Sequence, residues 1–246
     1  IMKNHCELKT ETRKTYVVKE KIVESDAIST LKLTLPNGTV PTYHPGQFIN
    51  IYFSELNTPE GKSYSMSGAP HEDTLNITVK AVGEFSSRLC SLRTGDTLEA
   101  SLPYGYFHSE SEESNLIMMA GGIGVTPFRS MIRDYIKSNS PRKLALFYSS
   151  RTYVDLVFKK EFDQIQKEHK NFTGFYFVTR EKNSDSSVIY NRMNISDILG
   201  SNQHKRIAGR EFLICGSISF VSDMWKGLRS AGVPEELIYT EAFFSH

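Results

Sequence analysis

Three glycines within four positions, Gly121, Gly122 and Gly124, close an apolar run that begins at Leu116 and lead into Thr126 and Pro127. Glycines there remove the Cβ atoms that would hold a phosphate away from the backbone, and a helix start just after them aims free N–H groups at the same spot. The pattern suits a nucleotide. It suits equally the strand-to-helix turn of any α/β domain, because Pro127 stands in the third place of the strict G-x-G-x-x-G dinucleotide fingerprint. A second stretch, Gly61-Lys-Ser-Tyr-Ser-Met-Ser67, offers a cation (Lys62), a planar ring (Tyr64) and two hydroxyls (Ser63 and Ser65). On an extended strand Tyr64 points opposite to Ser63 and Ser65, an arrangement able to hold a flat, phosphate-bearing ligand or simply to pack a surface tyrosine. In a third stretch, Val82-Gly-Glu-Phe-Ser-Ser-Arg-Leu89, Ser86 or Ser87 fits the N-cap of a helix, with its N–H groups free for an anion or used in ordinary capping. Fourth, Phe212-Leu-Ile-Cys-Gly-Ser217 ends an apolar strand at Cys215 and Gly216. Ligands of open α/β sheets sit at such an edge, although a lone buried cysteine also serves as plain packing.

These residues need elements to position them. From Thr15 to Leu102 the chain reads as short strands, Tyr16 to Ile22, Ile28 to Leu35, Phe48 to Phe53, Leu75 to Val82 and Thr97 to Leu102, separated by turns such as Pro36-Asn-Gly38 and Thr94-Gly-Asp96. In Leu75 to Val82 the apolar residues alternate with Asn76, Thr78 and Lys80, which predicts one core face and one wet face. Five or six strands at this spacing make a small antiparallel barrel or sandwich. The polar, acidic segment His108 to Asn115 marks a boundary. Beyond it, strands at Leu116 to Ala120, Lys143 to Tyr148, Phe172 to Val178, Glu211 to Cys215 and Leu237 to Tyr239 alternate with helical stretches after Pro127, at Asp155 to His169 and at Ser219 to Ala231. That rhythm predicts a parallel sheet with helices on both faces. The expected organisation is a tail (1–14), a β domain (15–107), a linker (108–115) and an α/β domain (116–246).

Bulk properties exclude several classes. The chain of 246 residues is 39% hydrophobic and 23% charged, ordinary globular values, and its net charge of +1 supplies no field for nucleic acid or an anionic membrane. Cys6, Cys90 and Cys215 are odd in number and far apart, which argues against a disulfide framework and against a four-cysteine metal centre. No metal site is expected. The chain has no apolar run of the roughly 20 residues that cross a bilayer and no signal-like start, so a cytoplasmic location is the expectation.

Taken together and in order, a Lys-x-Tyr-Ser strand, a Gly-x-x-Ser helix start, a Gly-Gly-x-Gly-x-Thr-Pro turn, a Cys-Gly strand end and the near-terminal Glu241-Ala-Phe243 resemble the ferredoxin–NADP(H) reductase family. Pro45-Gly-Gln-Phe48 and Pro103-Tyr-Gly-Tyr-Phe107 extend the likeness, which runs from about Thr15 to the C-terminus. The resemblance implies an N-terminal flavin-binding antiparallel barrel followed by a doubly wound parallel sheet for a nicotinamide dinucleotide. By it, Tyr64 stacks on the flavin ring, Ser65 bonds near its N5 and Lys62, beside Ser63, meets its phosphate. Thr78, Val79 and Lys80 line the flavin's tail, and Gly83, Ser86 and Ser87 hold its phosphate end. Gly121, Gly122, Gly124 and Thr126 bracket the dinucleotide, Cys215 and Gly216 lie by the nicotinamide, and Glu241 and Phe243 close the site. The implied reaction is hydride transfer from NAD(P)H to flavin, with Ser65, Cys215 and Glu241 as positioning and electrostatic groups, and electrons then leaving to a separate ferredoxin, flavodoxin or oxygenase. A flavin reductase that releases reduced flavin and a non-catalytic flavin-binding partner protein are the alternatives. The family's usual arginine is Lys62 here, a point charge without a bidentate fork, so FMN is an alternative to FAD. No acid follows the second α/β strand, where Tyr148-Ser-Ser-Arg151 stands, and Thr179-Arg180 with Tyr190 is similar to the family's 2′-phosphate segments, so NADPH is favoured over NADH although Val188 replaces an expected lysine. Oligomeric state is left open.

Overall fold

The computed structural model describes residues 12–109, 111, 113–182, 185–200 and 207–243. The N-terminal strands are β1 (Lys14–Ser25), β2 (Ile28–Thr34), β3 (Phe48–Tyr52), β4 (Lys62–Ser65), β5 (Leu75–Lys80) and β6 (Thr97–Ala100), with helix α1 (Glu84–Ser91) between the last two. They pair antiparallel in the order β4-β3-β6-β1-β2-β5. The two ends of that order meet through a bridge between Met66 and Ile77 and a bond from Ser67 N to Asn76 O of 2.7 Å, so the sheet closes into a barrel. Val18, Leu31, Leu33, Ile49, Ile51, Ile77 and Val79 fill it. β5 corrects one expectation. Leu75, Ile77 and Val79 do face the core, but Asn76 and Thr78 on the supposed wet face are only 3% and 4% exposed. Alternation separates core from non-core; it does not separate water from a second domain, and here the Arg129 guanidinium of that domain donates to Ser67 O at 2.8 Å across this face.

The C-terminal sheet contains β7 (Asn115–Gly121), β8 (Leu144–Ser150), β9 (Phe172–Val178), β10 (Val188–Ile189), β11 (Arg210–Ser217) and β12 (Ile238–Phe243), parallel throughout in the order β10-β9-β8-β7-β11-β12. Helices α2 (Thr126–Lys137), α3 (Lys159–Glu168), α4 (Ile195–Leu199) and α5 (Ile218–Ser230) cover it. Met118 and Ala120 point to one core with Phe128, Met131 and Phe162, whereas Ile117 and Met119 point to another with Val221, Met224 and Leu228. The sheet is doubly wound. After β7 the chain steps to β8 on one side and later to β11 on the other, which opens a crevice at the carboxyl ends of β7 and β11. Most boundaries move by one to three residues, and two move by about a helical turn. The helix expected from Asp155 starts at Lys159, because Phe158 adopts a left-handed φ of 68° that no helix continues through. The last strand runs on to Phe243, in register with β11 to Ser217. β10 and α4, at 2 and 5 residues, are too short to show a period.

The domains are joined by packing and by charge. Ile28 and Phe107 of the barrel share a core with Val125, Phe128 and Met131. Arg133 bonds Glu72 (2.8 Å) and Glu161 (2.6 Å), Arg129 bonds the other oxygen of Glu161 (2.8 Å), and Lys80 pairs with Asp155 (2.8 Å). Buried Arg142 ties the connecting segment down by donating to Ser114 O and Ser109 Oγ, each at 2.6 Å. Among the described residues no helix is long and apolar enough to cross a membrane, and no group of three or more His, Cys, Asp or Glu is arranged to hold a metal.

Candidate cofactor site and active site

Register brings two chemical groups together, and the domain joint adds a third. Cys215 lies opposite Glu241 on β12 and opposite Ala120 on β7, at the carboxyl edge of the sheet. From the barrel, Ser65 at the end of β4 donates its Oγ proton to Glu241 Oε2 at 2.9 Å, joining residues 176 positions apart. Cys215 Sγ is 4.0 Å from the same oxygen. Burial pushes the Glu241 carboxyl up to about 7, with the Ser65 hydroxyl pulling the other way. Burial, reinforced by Glu241, also pushes the fully buried Cys215 thiol well above its ordinary range, so it stays a neutral thiol rather than a nucleophilic thiolate. A cavity of about 400 Å³ bounded by Tyr106, Phe107, Tyr239 and Glu241, among others, opens beside this carboxyl.

The glycine turn packs directly on that cluster. Gly122–Val125 form one 3-10 turn, and the Thr126 hydroxyl donates to Ile123 O at 3.1 Å as α2 begins. A Cβ on Gly124 would sit 2.4 Å from the Cys215 carbonyl oxygen, so only glycine lets the turn approach β11 this closely. Gly122 has a φ of 57° and open space above it. Gly122 alone leaves open backbone at the turn, whereas the Phe220 ring packs over Gly121 and Gly216, where a Cβ would lie 2.7 and 2.9 Å from it.

On the barrel side, Tyr64 stacks on Phe85 of α1, with ring centroids 6.3 Å apart and planes 19° from parallel. Lys62 Nζ lies 5.9 Å from the same ring. The sequence reading missed Phe85. The N-cap of α1 is Gly83, not Ser86 or Ser87 as expected; Ser86 sits at the third helical position and its hydroxyl accepts from the N–H groups of Val82 (3.0 Å) and Gly83 (3.1 Å). Ser86 acts from the third helical position instead, its hydroxyl holding the Gly83 N–H in the manner of a capping box, so the helix starts three residues earlier. Ser87 is exposed, and its N–H makes the first intrahelical bond, to Gly83 O. Glu84, Phe85 and Ser86 thus retain N–H groups without an intrahelical acceptor below open space over Gly83, a cradle that fits an anionic phosphate end. Of the residues expected along the flavin's tail, Thr78 shares its Oγ1 with Thr30 and Ser67 at 2.8 Å each, Val79 has its side chain in the barrel core, and Lys80 pairs with Asp155. Ser63 is exposed and donates to Asn50 Oδ1 at 3.3 Å. Phe243 is half-buried against the α/β core.

A second cavity, of about 430 Å³, lies along the carboxyl edge of the sheet. Ser149 of β8, Thr179 after β9 and Tyr190 after β10 form one wall, Asn191–Met193 a second, and Phe220, Asp223 and Met224 of α5 a third. The Tyr190 hydroxyl is buried and closes no well-formed hydrogen bond. An orphaned hydroxyl in a polar cavity of this size fits an elongated nucleotide. Of the residues expected at the dinucleotide, Thr179 and Tyr190 bound this cavity, whereas Arg151 and Arg180 are exposed and do not; the Arg180 N–H donates to Arg151 O at 2.9 Å. Phe220, Asp223 and Met224 went unread, although a spacing of three and four on a helix leaving Gly216 is a legible sign of one face turned to that edge.

Comparison with known proteins agrees with both halves of this geometry. Residues 15–109 match the oxidoreductase FAD-binding domain and residues 118–226 the oxidoreductase NAD-binding domain. The chain is 25% identical, over 99% of its own length and 68% of the other's, to a component of the Na(+)-translocating NADH-quinone reductase of Klebsiella pneumoniae. Among solved structures it is similar to the flavohaem-like FAD/NAD-binding domain of a nitric oxide dioxygenase from Vibrio cholerae (26% identity, TM-score 0.82, covering 94% of this chain and 98% of that one). It shares its fold with a ferredoxin NADP+ reductase from Neisseria gonorrhoeae (20% identity, TM-score 0.79, covering 94% and 99%). The FAD-binding and NAD-binding oxidoreductase domains, matched in this order over most of the chain, make it a member of the ferredoxin–NADP(H) reductase family, an NAD(P)H-dependent flavin oxidoreductase.

Proposed function

We propose that the chain draws hydride from a nicotinamide dinucleotide onto FAD held by the barrel and passes the electrons to a separate acceptor, a small redox protein such as a ferredoxin or flavodoxin, or an oxygenase. The observation that carries this reading is the meeting of Ser65 from one domain with Cys215 and Glu241 from the other, at 2.9 and 4.0 Å from one carboxylate oxygen. When bound, the two cofactors supply the hydride and electron chemistry. The residues of the chain bind and orient. Tyr64 offers a ring face, while Lys62 and the N-terminus of α1 receive the flavin's phosphates. Gly122 admits the dinucleotide backbone at the turn that Gly121, Gly124 and Thr126 shape, and Phe220 packs over Gly216 beside it. Cys215 presents a small neutral surface, Phe243 covers the opening, and the Ser65–Glu241 pair holds a proton close to the ring edge. Correct orientation of this kind is worth several kcal/mol, up to roughly 7 to 11 in model reactions.

The acceptor is read as a separate molecule because the relatives' names divide among quinone reductase, dioxygenase and ferredoxin reductase while sharing these two domains. Lys62, a point charge in place of a bidentate arginine, favours a second reading in which flavin, FAD or FMN, is loosely held and leaves reduced. The visible spectrum of the purified protein, before and after anaerobic NADH or NADPH, tests all of this. Yellow protein that bleaches supports the main reading. Colourless protein that reduces added flavin supports the second. Bound flavin that neither dinucleotide bleaches would sink both and leave a non-catalytic flavin-binding partner protein.

A further inference from the structure

The cavity of about 430 Å³ has two charged side chains in its lining, and they are bound to each other: Arg192 Nη2 is 2.6 Å from Asp223 Oδ2. Their side chains are 77% and 49% exposed. A pair so exposed adds little to stability, and both groups stand in the wall of a nucleotide-sized cavity, within reach of a ligand there. Its position is informative. No acid follows β8, where a ribose hydroxyl acceptor stands in many dinucleotide-binding sheets, but Ser149 at the end of β8 bounds the same cavity as Asp223. The carboxylate absent from that strand end is supplied in space by α5. The basic residues that favoured a 2′-phosphate on sequence grounds, Arg151 and Arg180, lie outside the lining, and Arg192, the cation that does line it, is already neutralised. The other polar residues of the lining, Ser149, Thr179, Tyr190 and Asn191, are uncharged. A 2′-phosphate that bonds the remaining donors of Arg192 stands beside the Asp223 carboxylate that already holds Nη2, like charge against like charge. A free 2′-hydroxyl donates to that carboxylate without disturbing it.

We propose that the Arg192–Asp223 pair selects NADH over NADPH, with Asp223 accepting the ribose 2′-hydroxyl and rejecting a phosphate at that position. The inference rests on the cavity being the adenosine end of the dinucleotide site, and it reverses the lean to NADPH that Thr179, Arg180 and Tyr190 suggested.

Calorimetric titration of the purified full chain with 5′-AMP and with adenosine 2′,5′-bisphosphate provides a test independent of turnover. The expected result is at least tenfold tighter binding of 5′-AMP by the wild type. Asp223→Asn should free Arg192 and move the ratio at least tenfold toward the bisphosphate, whereas Arg192→Gln should weaken the bisphosphate further. Both substitutions lie on exposed side chains, and an unchanged circular dichroism spectrum checks folding. A wild type that binds the bisphosphate as well as 5′-AMP, or an Asp223→Asn variant with an unaltered ratio, overturns the proposal. So does failure of both nucleotides to bind while NADH still bleaches the flavin, a result that leaves the reductase reading intact. If neither dinucleotide bleaches bound flavin, the reductase reading falls, and the nucleotide ratio still judges Asp223.

Discussion

A carboxyl pushed up to about 7 changes charge in the range where most enzymes are assayed, and Glu241 is such a group. Its raised pKa favours the protonated form in the folded protein, so its contribution to stability is fully present below the ordinary carboxylate range and is lost as pH rises through about 7. Glu241→Gln should therefore flatten the pH dependence of both thermal stability and hydride transfer between about pH 4.5 and 7; wild-type and variant profiles that remain parallel there would refute this. Ser65→Ala removes the hydroxyl that favours the carboxylate, so the inflection should move to higher pH, with hydride transfer about five- to tenfold slower in stopped-flow, the worth of one hydrogen bond of about 1 kcal/mol. Ser65, Cys215 and Glu241 were all legible in sequence, but only through the ordered company of Tyr64, the glycine turn and Phe243. Asp223 and Arg192 were not, because an ion pair between residues 31 positions apart leaves no local pattern.

Among the elements, the glycine turn and β11 behave as one unit because they touch without side chains between them. Gly124→Ala would place a Cβ 2.4 Å from the Cys215 carbonyl, and backbone cannot yield as a flexible side chain does. The expected cost is about 1 to 3 kcal/mol of stability together with loss of dinucleotide binding, read by thermal denaturation with and without NADH. Gly122→Ala meets open space and carries only the strain of its φ of 57°, about 1 kcal/mol. If the two variants lose the same stability, the close approach does not govern the turn. Strands and long helices were readable from period, since burial on one or both faces writes itself into the sequence. Helix starts were less so: Gly83 as an N-cap and the left-handed Phe158 ahead of α3 depend on backbone angles that side-chain pattern does not encode.

For the whole molecule, the domain joint is a run of charges: Glu72, Arg133, Glu161 and Arg129, ending on the Ser67 carbonyl. Arg129 is the better shielded of the two arginines, with 13% of its side chain exposed against 33% for Arg133. Arg129→Ala should cost about 2 kcal/mol and lower the melting temperature by roughly 4 to 8 °C. Arg133→Ala should cost about half as much, and its effect should shrink in 0.5 M salt, as screening of a more exposed pair requires. Shifts under 1 °C for both would show that apolar packing around Phe107 and Phe128 carries the joint. None of these partners was foreseeable, because the sequence displays charges and not which of them face each other across a joint. The same run bears on how such proteins diversify. Glu72 belongs to the barrel, whereas Arg129, Arg133 and Glu161 belong to the α/β domain, so a chimera that exchanges one domain for a relative's keeps each half's fold but loses the lock between them. Domain shuffling within the family would then succeed only between parents whose joint charges match.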